Sequence, residues 1–231
     1  MRVLDLFSGV GGFSLGLERA GMTTVAFCEI DDFCRQVLAK HWPRVPIYGD
    51  VRALKPYDLF IDGCWPIDVI CGGFPCQPFS SASRGRKKGA TDDRFLWPEM
   101  RRLIDDLRPA WVIAENVVQF NGVAFDAMVS DLETSGYEVE TLEIPACAVG
   151  QDHWRSRLWI LGNANGNCKP KQPINAEVAV LSRDRSGTGS VGKPHGVPSR
   201  MDRLAALGNA VHPKIPEIIG RAIMGTGRVS V

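Results

Sequence analysis

Cys76 lies in the run Phe74-Pro75-Cys76-Gln77-Pro78-Phe79-Ser80, directly after the apolar stretch Ile67-Asp68-Val69-Ile70-Cys71 and the pair Gly72-Gly73. A strand end followed by a glycine hinge is where α/β enzymes present reacting groups, and prolines on both sides of the Cys-Gln pair restrict the loop. That context points to a thiol nucleophile. The other six cysteines read as small buried hydrophobes. Glu115, at the end of a later apolar run, supplies a carboxylic acid that can protonate or anchor a substrate nitrogen. Arg155 and Arg157 alternate along a strand-like segment, so both face one side and bring cations to the mouth of the same site. No His or Asp near Cys76 completes a hydrolase triad, and Cys-Gln-Pro does not resemble a thiol-protease elbow. Cys64, Cys71 and Cys76 have no C-x-x-C spacing and no nearby His pair, so no metal site is expected.

A second constellation belongs to a cofactor. Gly9, Gly11 and Gly12 separate a strand from a helix, which lets a backbone approach a ligand at a helix N-terminus that favours anions. The G-x-G-G spacing is neither the dinucleotide G-x-G-x-x-G nor a phosphate-binding P-loop. Glu29 ends the second strand, where an acid binds ribose hydroxyls in doubly wound folds, so a nucleoside-bearing cofactor is implied. Asp50, one strand further on, either accepts from an adenine amino group or is an ordinary loop acid.

These residues require a frame that alternates strands and helices. Strands are expected at 3–7, 24–28, 45–48, 68–71 and 111–114, with helices at 13–20, 31–41, 95–107 and 124–135. The pattern predicts an α/β fold with a mostly parallel sheet and helices on both faces. It sets Gly9 to Gly12, Glu29, Asp50, Cys76 and Glu115 along one rim, at the carboxyl ends of the strands. Segments 137–144 and 157–161 read as a closing pair of strands. Residues 1–162 are expected to form the catalytic and cofactor-binding domain, and 163–192 a polar loop or rudimentary insert. Residues 193–231 form a C-terminal segment that returns to the first domain, with helical turns marked by Leu204, Leu207, Val211, Ile215, Ile218 and Ile219.

With 231 residues and 45% hydrophobic content, the chain can bury one full core. No apolar run approaches the length of a membrane span and no signal-peptide pattern begins the chain, so a soluble cytoplasmic monomer with reduced thiols is expected. A net charge of +1 does not by itself announce a nucleic-acid partner, but its distribution is uneven. Arg84, Arg86, Lys87 and Lys88 crowd five residues, beginning eight after Cys76, and are expected to contact phosphate. Arg183, Arg185, Arg200 and Arg203 form a later group, readable either as a solvated face or as more nucleic-acid contacts.

Five blocks in order carry a resemblance: Asp5-Leu6-Phe7-Ser8-Gly9-Val10-Gly11-Gly12, Gly73 to Ser80, Glu115-Asn116-Val117, Arg155-Ser156-Arg157 and Gly208-Asn209-Ala210-Val211. The chain resembles the DNA (cytosine-5)-methyltransferase family in its compact bacterial or bacteriophage form. The resemblance implies a Rossmann-like S-adenosylmethionine-dependent methyltransferase fold with an antiparallel last strand, and duplex DNA as substrate. It implies Cys76 as the nucleophile at C6 of a flipped-out cytosine, Glu115 at N3, Arg157 at O2 with Arg155 beside it, and Asn116 orienting Glu115. The cofactor, leaving as S-adenosylhomocysteine, would meet Phe7, Ser8, Gly9, Gly11 and Gly12, Glu29 and Ile30, Asp50 and Val51, Phe74 and Pro75, and Asn209 and Val211. Gln77 and Ser80 join Arg84, Arg86, Lys87, Lys88, Arg183, Arg185, Arg200 and Arg203 as expected DNA contacts.

Two departures qualify the resemblance. The family writes Gln-x-Arg-x-Arg before the closing strand. Here His153 and Trp154 fill the first two places and Gln151 stands two residues early, while the arginine pair is kept. About thirty polar residues, 163–192, stand where many members carry a far larger target-recognition domain. Base readout then comes from a short site, from the late arginines with residues 195–203, or from a partner such as a specificity-supplying protein; a cognate restriction endonuclease is a further expected companion. Two other readings stay open: a methyltransferase acting on cytosine in transfer-type RNA, and a catalytically silent relative that binds nucleic acid or cofactor.

Overall fold

The computed structural model describes residues 1–75, 95–118, 122–145, 156–164 and 210–225. Arg2–Leu6 is strand β1, which runs through the wholly buried Val3, Leu4 and Leu6. Helix α1 (Gly12–Arg19) follows, starting from Gly11 in the left-handed region at φ 86 and stopping before Gly21, also left-handed at φ 94. Strand β2 is Thr23–Cys28, and helix α2 is Asp32–His41, whose first turn is capped by Asp31 accepting from the Cys34 amide at 2.8 Å. After the two-residue strand β3 (Ile47–Tyr48) comes a short helix, α3 (Pro56–Ile61). That helix was not expected: with one buried residue, Leu59, it displays no apolar stripe to read.

Strand β4 (Val69–Gly72), helix α4 (Trp97–Leu107) and strand β5 (Trp111–Val117) continue the alternation. Helix α5 (Val123–Thr134) leads into strands β6 (Tyr137–Pro145) and β7 (Ser156–Ala164), and helix α6 (Lys214–Met224) completes the described residues. Both β5 and β7 are longer than their apolar runs suggest. Their ladder, from Trp111 opposite Asn163 to Val117 opposite Arg157, draws polar residues into the strands.

The sheet has seven strands in the order β3-β2-β1-β4-β5-β7-β6. Strands β1 to β5 pair in parallel, and β7 runs antiparallel to both β5 and β6. The expected antiparallel strand is present, lying inside the sheet with β6 on the edge. Both faces are covered. Val3, Val69, Ile113, Trp159 and Leu161 pack against Phe13 and Leu17 of α1 and Ile215, Ile218 and Ile219 of α6. Leu4, Leu6, Ile70, Val112 and Ile160 pack against Leu59 of α3, Met100, Leu103 and Ile104 of α4, and Met128 and Leu132 of α5. Each fully buried aliphatic side chain contributes roughly 1.5–3 kcal/mol of transfer free energy.

Helix α6 comes late in the chain yet sits directly on α1. A Cβ at Gly16 would stand 2.2 Å from the Pro213 carbonyl oxygen, so the backbones meet only because that side chain is absent. Among the described residues, no helix is long and apolar enough to cross a membrane.

Candidate active site

The chain leaves β1 through an unusual backbone. Phe7 has φ 54 although it is not glycine, and Gly9 follows at φ 53. A bulky residue in this region is held there by its surroundings, and such residues cluster at functional sites, which makes this loop a candidate. The surroundings can be named. The Ser8 hydroxyl donates to the Asp5 carbonyl at 2.6 Å, and the Gly9 amide donates to Glu29 Oε2 at 2.7 Å. Glu29, buried at the end of β2, also accepts from the Asp31 amide through Oε1 at 2.8 Å. One carboxylate therefore joins the turns after β1 and β2, and each oxygen keeps a further lone pair for a ligand.

Across the loop lies the C-terminal segment. A Cβ at Gly12 would fall 2.3 Å from the Val211 carbonyl oxygen, so Val211 meets the start of α1. A cleft with roughly 320 Å³ of empty space opens here, bounded by Phe7, Ser8, Gly9 and Gly12, by Val211, and by Glu115.

Glu115 enters this cleft from β5. It stands opposite Trp159 while Val117 stands opposite Arg157, so Glu115 and Arg157 are diagonal neighbours on one face of an antiparallel pair. Their side chains meet: Arg157 Nε is 2.7 Å from Glu115 Oε1, with 20% and 12% of the respective side chains exposed. Arg157 Nη1 also donates to the Ser156 carbonyl at 2.9 Å. Gly73 leaves the space the carboxylate uses, since a Cβ there would come within 3.0 Å of Glu115 Oε2.

Asn116 is buried and points to the opposite face, as adjacent residues in a strand must. Its amide donates to the Phe74 carbonyl at 3.3 Å, and its Oδ1 accepts from the Val117 amide at 2.8 Å. The expectation that Asn116 orients Glu115 is thereby corrected: its side chain holds the backbone that leads into Pro75. The Phe74 ring packs edge-on against Phe95, with centroids 6.4 Å apart, and tilted against Trp97 at 5.6 Å. The described ends on either side of residues 76–94 are thus joined in one aromatic cluster.

The remaining expected cofactor residues occupy the same rim. Asp50 follows β3, where Arg52 holds its carboxylate through contacts of 2.7 to 3.1 Å and keeps it below the usual carboxylate range. Val51 is a core residue, so only its backbone is placed to meet a ligand, whereas Ile30 beside Glu29 is 63% exposed. Asp5, the first residue of the first shared block, is a structural acid. It lies beneath the cleft, fully buried, accepting from the Ser14 hydroxyl at 2.7 Å and the Ser14 amide at 3.2 Å. Burial raises its carboxyl to about 7, against the pull of the Ser14 bonds. Phe13 also lines the cleft and was missed, although its place in the first turn after the glycine loop is a usable signal.

Cys76, Gln77, Ser80, Arg84, Arg86, Lys87, Lys88, Arg155, Arg183, Arg185, Arg200, Arg203 and Asn209 lie outside the described residues, as do His153, Trp154 and residues 165–192 of the insert, whose first two residues, Asn163 and Ala164, instead end β7. Among the described residues, no group of three His, Cys, Asp or Glu side chains is arranged to hold a metal ion.

Comparison with known proteins agrees with this geometry. The model of the C-5 cytosine-specific DNA methylase family matches residues 1–188. The Type II methyltransferase M2.BsuMI of Bacillus subtilis is 33% identical over 203 residues, covering 84% of this chain and 48% of that protein. The Type II methyltransferase M.NgoBI of Neisseria gonorrhoeae is 32% identical over 166 residues, covering 70% and 50%. A solved structure described as a DNA modification methyltransferase encoded within an E. coli prophage superposes with a TM-score of 0.60 at 30% identity, covering 72% of this chain and 47% of the other. The chain thus spans about half the length of the curated relatives it matches.

Proposed function

Because the chain belongs to the C-5 cytosine-specific DNA methylase family, we propose that it transfers a methyl group from S-adenosylmethionine to C5 of a cytosine flipped out of duplex DNA. The observation that carries this reading is a single cleft in which the glycine loop after β1 faces the Glu115 carboxylate. A methyl donor and a base need to meet at such a place.

The donor set suits S-adenosylmethionine. The Gly9 to Gly12 backbone admits close approach, the Glu29 carboxylate suits ribose hydroxyls, and Asp50 suits an amino group on adenine. When bound there, S-adenosylmethionine supplies an electrophilic methyl group and leaves as S-adenosylhomocysteine. Phe7, Ser8, Ile30, Val51, Phe74, Pro75, Asn209 and Val211 complete the proposed cofactor contacts.

The side chains divide the chemistry. C5 of cytosine is a weak nucleophile, and attack of the Cys76 thiolate on C6 forms a covalent bond that turns the ring into an enamine, reactive at C5. Glu115 holds or protonates N3, which neutralises charge developing on the ring. Arg157, with Nε on Glu115 and Nη1 on the Ser156 carbonyl, keeps Nη2 as the donor for O2. Asn116 fixes the Phe74 carbonyl and with it the approach to Cys76. Loss of the C5 proton to water or hydroxide then expels the thiolate. Arg155 joins the cationic side of the site, and Gln77, Ser80, Arg84, Arg86, Lys87 and Lys88, with Arg183, Arg185, Arg200 and Arg203, take the DNA. Residues 1–162 and 193–231 act as one catalytic body, with 163–192 between them.

The test is transfer of label from S-adenosylmethionine to a mixed-sequence duplex and to RNA, followed by bisulfite mapping. C5 methylation of the duplex that disappears in Cys76→Ala is expected. Label entering RNA alone points to the transfer-RNA reading, and cofactor binding without transfer to either points to a silent relative.

A further inference from the structure

Arg102 of α4 reaches across to the turn that follows β3. Its Nη2 donates to the Val51 carbonyl at 2.9 Å and to the Leu54 carbonyl at 3.0 Å. The guanidinium is itself held in place: Nε donates to Glu99 Oε2 at 2.9 Å, and Nη1 lies 3.9 Å from Asp106 Oδ2. The turn it grips starts at Asp50, whose carbonyl accepts from the amides of Ala53 at 3.0 Å and Leu54 at 3.2 Å. Val51 and Leu54 are 4% and 2% exposed, so their carbonyls have little water to turn to and need protein donors.

We infer that Arg102 is a positioning residue for the adenosine half of the cofactor site, setting the height of the Asp50–Leu54 turn against the rim of the sheet. The inference rests on the S-adenosylmethionine reading given above. The helix that carries Arg102 is anchored in the core through Met100, Leu103 and Ile104, which are wholly buried. The turn by contrast follows a strand of only two residues, Ile47–Tyr48, at the edge of the sheet. Two hydrogen bonds from a fixed helix therefore supply the registration that so short a strand does not. As a source of stability the ion pairs of Arg102 count for little, since a third of its side chain is exposed and such pairs are screened by water. What they provide is a direction for Nη2.

The test is calorimetric titration of the full chain with S-adenosylhomocysteine and with adenosine, well below the unfolding temperature. Arg102→Met keeps the apolar stem and removes the donors. It is expected to raise Kd for both ligands about tenfold, the loss of roughly one to two hydrogen bonds. Arg102→Lys should recover part of that loss, because an ammonium still bonds a carbonyl but lacks the fork. Glu99→Gln, which removes only the ion pair that orients the guanidinium, should shift Kd in the same direction by less. In turnover, KM for S-adenosylmethionine should rise while kcat stays within about twofold, the pattern of lost uniform binding. Unchanged Kd in Arg102→Met and Glu99→Gln, with wild type binding normally, overturns the inference and leaves the cofactor reading standing. Wild type that binds neither ligand overturns both.

Discussion

Arg157 meets Glu115 diagonally across the β5–β7 ladder, Nε to Oε1 at 2.7 Å, although Trp159 is the residue directly opposite Glu115. The diagonal leaves the Trp159 indole to close the core beneath, packed on Phe13 at 5.4 Å, while the ion pair sits above it at the cleft. The carboxylate is thereby held by a cation that cannot lose its proton.

Glu115→Gln keeps the shape of the side chain and removes its acid. With Glu115 as the group at N3, kcat for methyl transfer should fall about 10²- to 10⁴-fold, the range for a positioned acid or base, while S-adenosylhomocysteine binding changes little. Single-turnover kinetics and calorimetry measure the two separately. A variant that transfers at the wild-type rate would remove Glu115 from the chemistry.

Asn116→Ala should act through Phe74. Without the amide, the Phe74 carbonyl loses a donor at 3.3 Å and the part-buried Val117 amide loses its acceptor at 2.8 Å, each an ordinary hydrogen bond that contributes about 0.5–1.5 kcal/mol of stability. The approach to Cys76 loosens with them. The rate of covalent trapping on fluorocytosine-containing DNA should drop in Asn116→Ala, with Asn116→Asp no better, since a carboxylate cannot donate to Phe74. Trapping at the wild-type rate in a folded Asn116→Ala protein would rule out this positioning role.

Much of the frame was legible because its signals are local. Val3 to Leu6 and the glycines after them give both a strand and its end, and Asp31 caps α2 at the position its side chain predicts. What escaped depends on pairing between distant segments. The extension of β5 through Glu115 to Val117 is imposed by β7, and nothing in Glu-Asn-Val alone favours a strand. The role of Asn116 toward Glu115 came from the resemblance, whereas alternation along the extended strand turns the Asn116 side chain away to the Phe74 carbonyl. Likewise α3 is held by Pro56 in its first turn and by Asp58 accepting from the Lys55 amide at 2.9 Å, features too brief to stand out from a polar connection.

Two glycines of the cofactor loop should fail for different reasons. A Cβ at Gly12 would stand 2.3 Å from a backbone oxygen of Val211, which cannot move aside, so Gly12→Ala should separate α6 from α1 and lower the melting temperature markedly. A Cβ at Gly9 meets nothing within 4 Å, leaving only the cost of φ 53, about 1–2 kcal/mol. Gly9→Ala should therefore fold and yet bind S-adenosylhomocysteine poorly, since the added methyl strains and crowds a loop that lines the cleft. Thermal melts beside calorimetry separate the two, and normal ligand binding by Gly9→Ala would place the cofactor elsewhere.

Asp5 makes stability depend on pH in an unusual direction. Burial raises its carboxyl to about 7, opposed by bonds from Ser14 of α1 and from Cys71 of β4 and reinforced by the charge of Glu29 at the end of β2. The folded state therefore holds a proton that the unfolded chain releases near the ordinary carboxylate value. Between that value and about 7 the folded state binds more protons, so stability falls as pH rises, and above about 7 the full cost of a buried charge is present. Asp5→Asn keeps an oxygen for the Ser14 hydroxyl at 2.7 Å and removes the titration. Its melting temperature relative to wild type should climb from about pH 4 to about pH 7 and then level, by an amount corresponding to a few kcal/mol at most. Parallel melting curves for the two proteins across that range would show that Asp5 is ionised throughout, held so by Ser14 and Cys71 despite its burial.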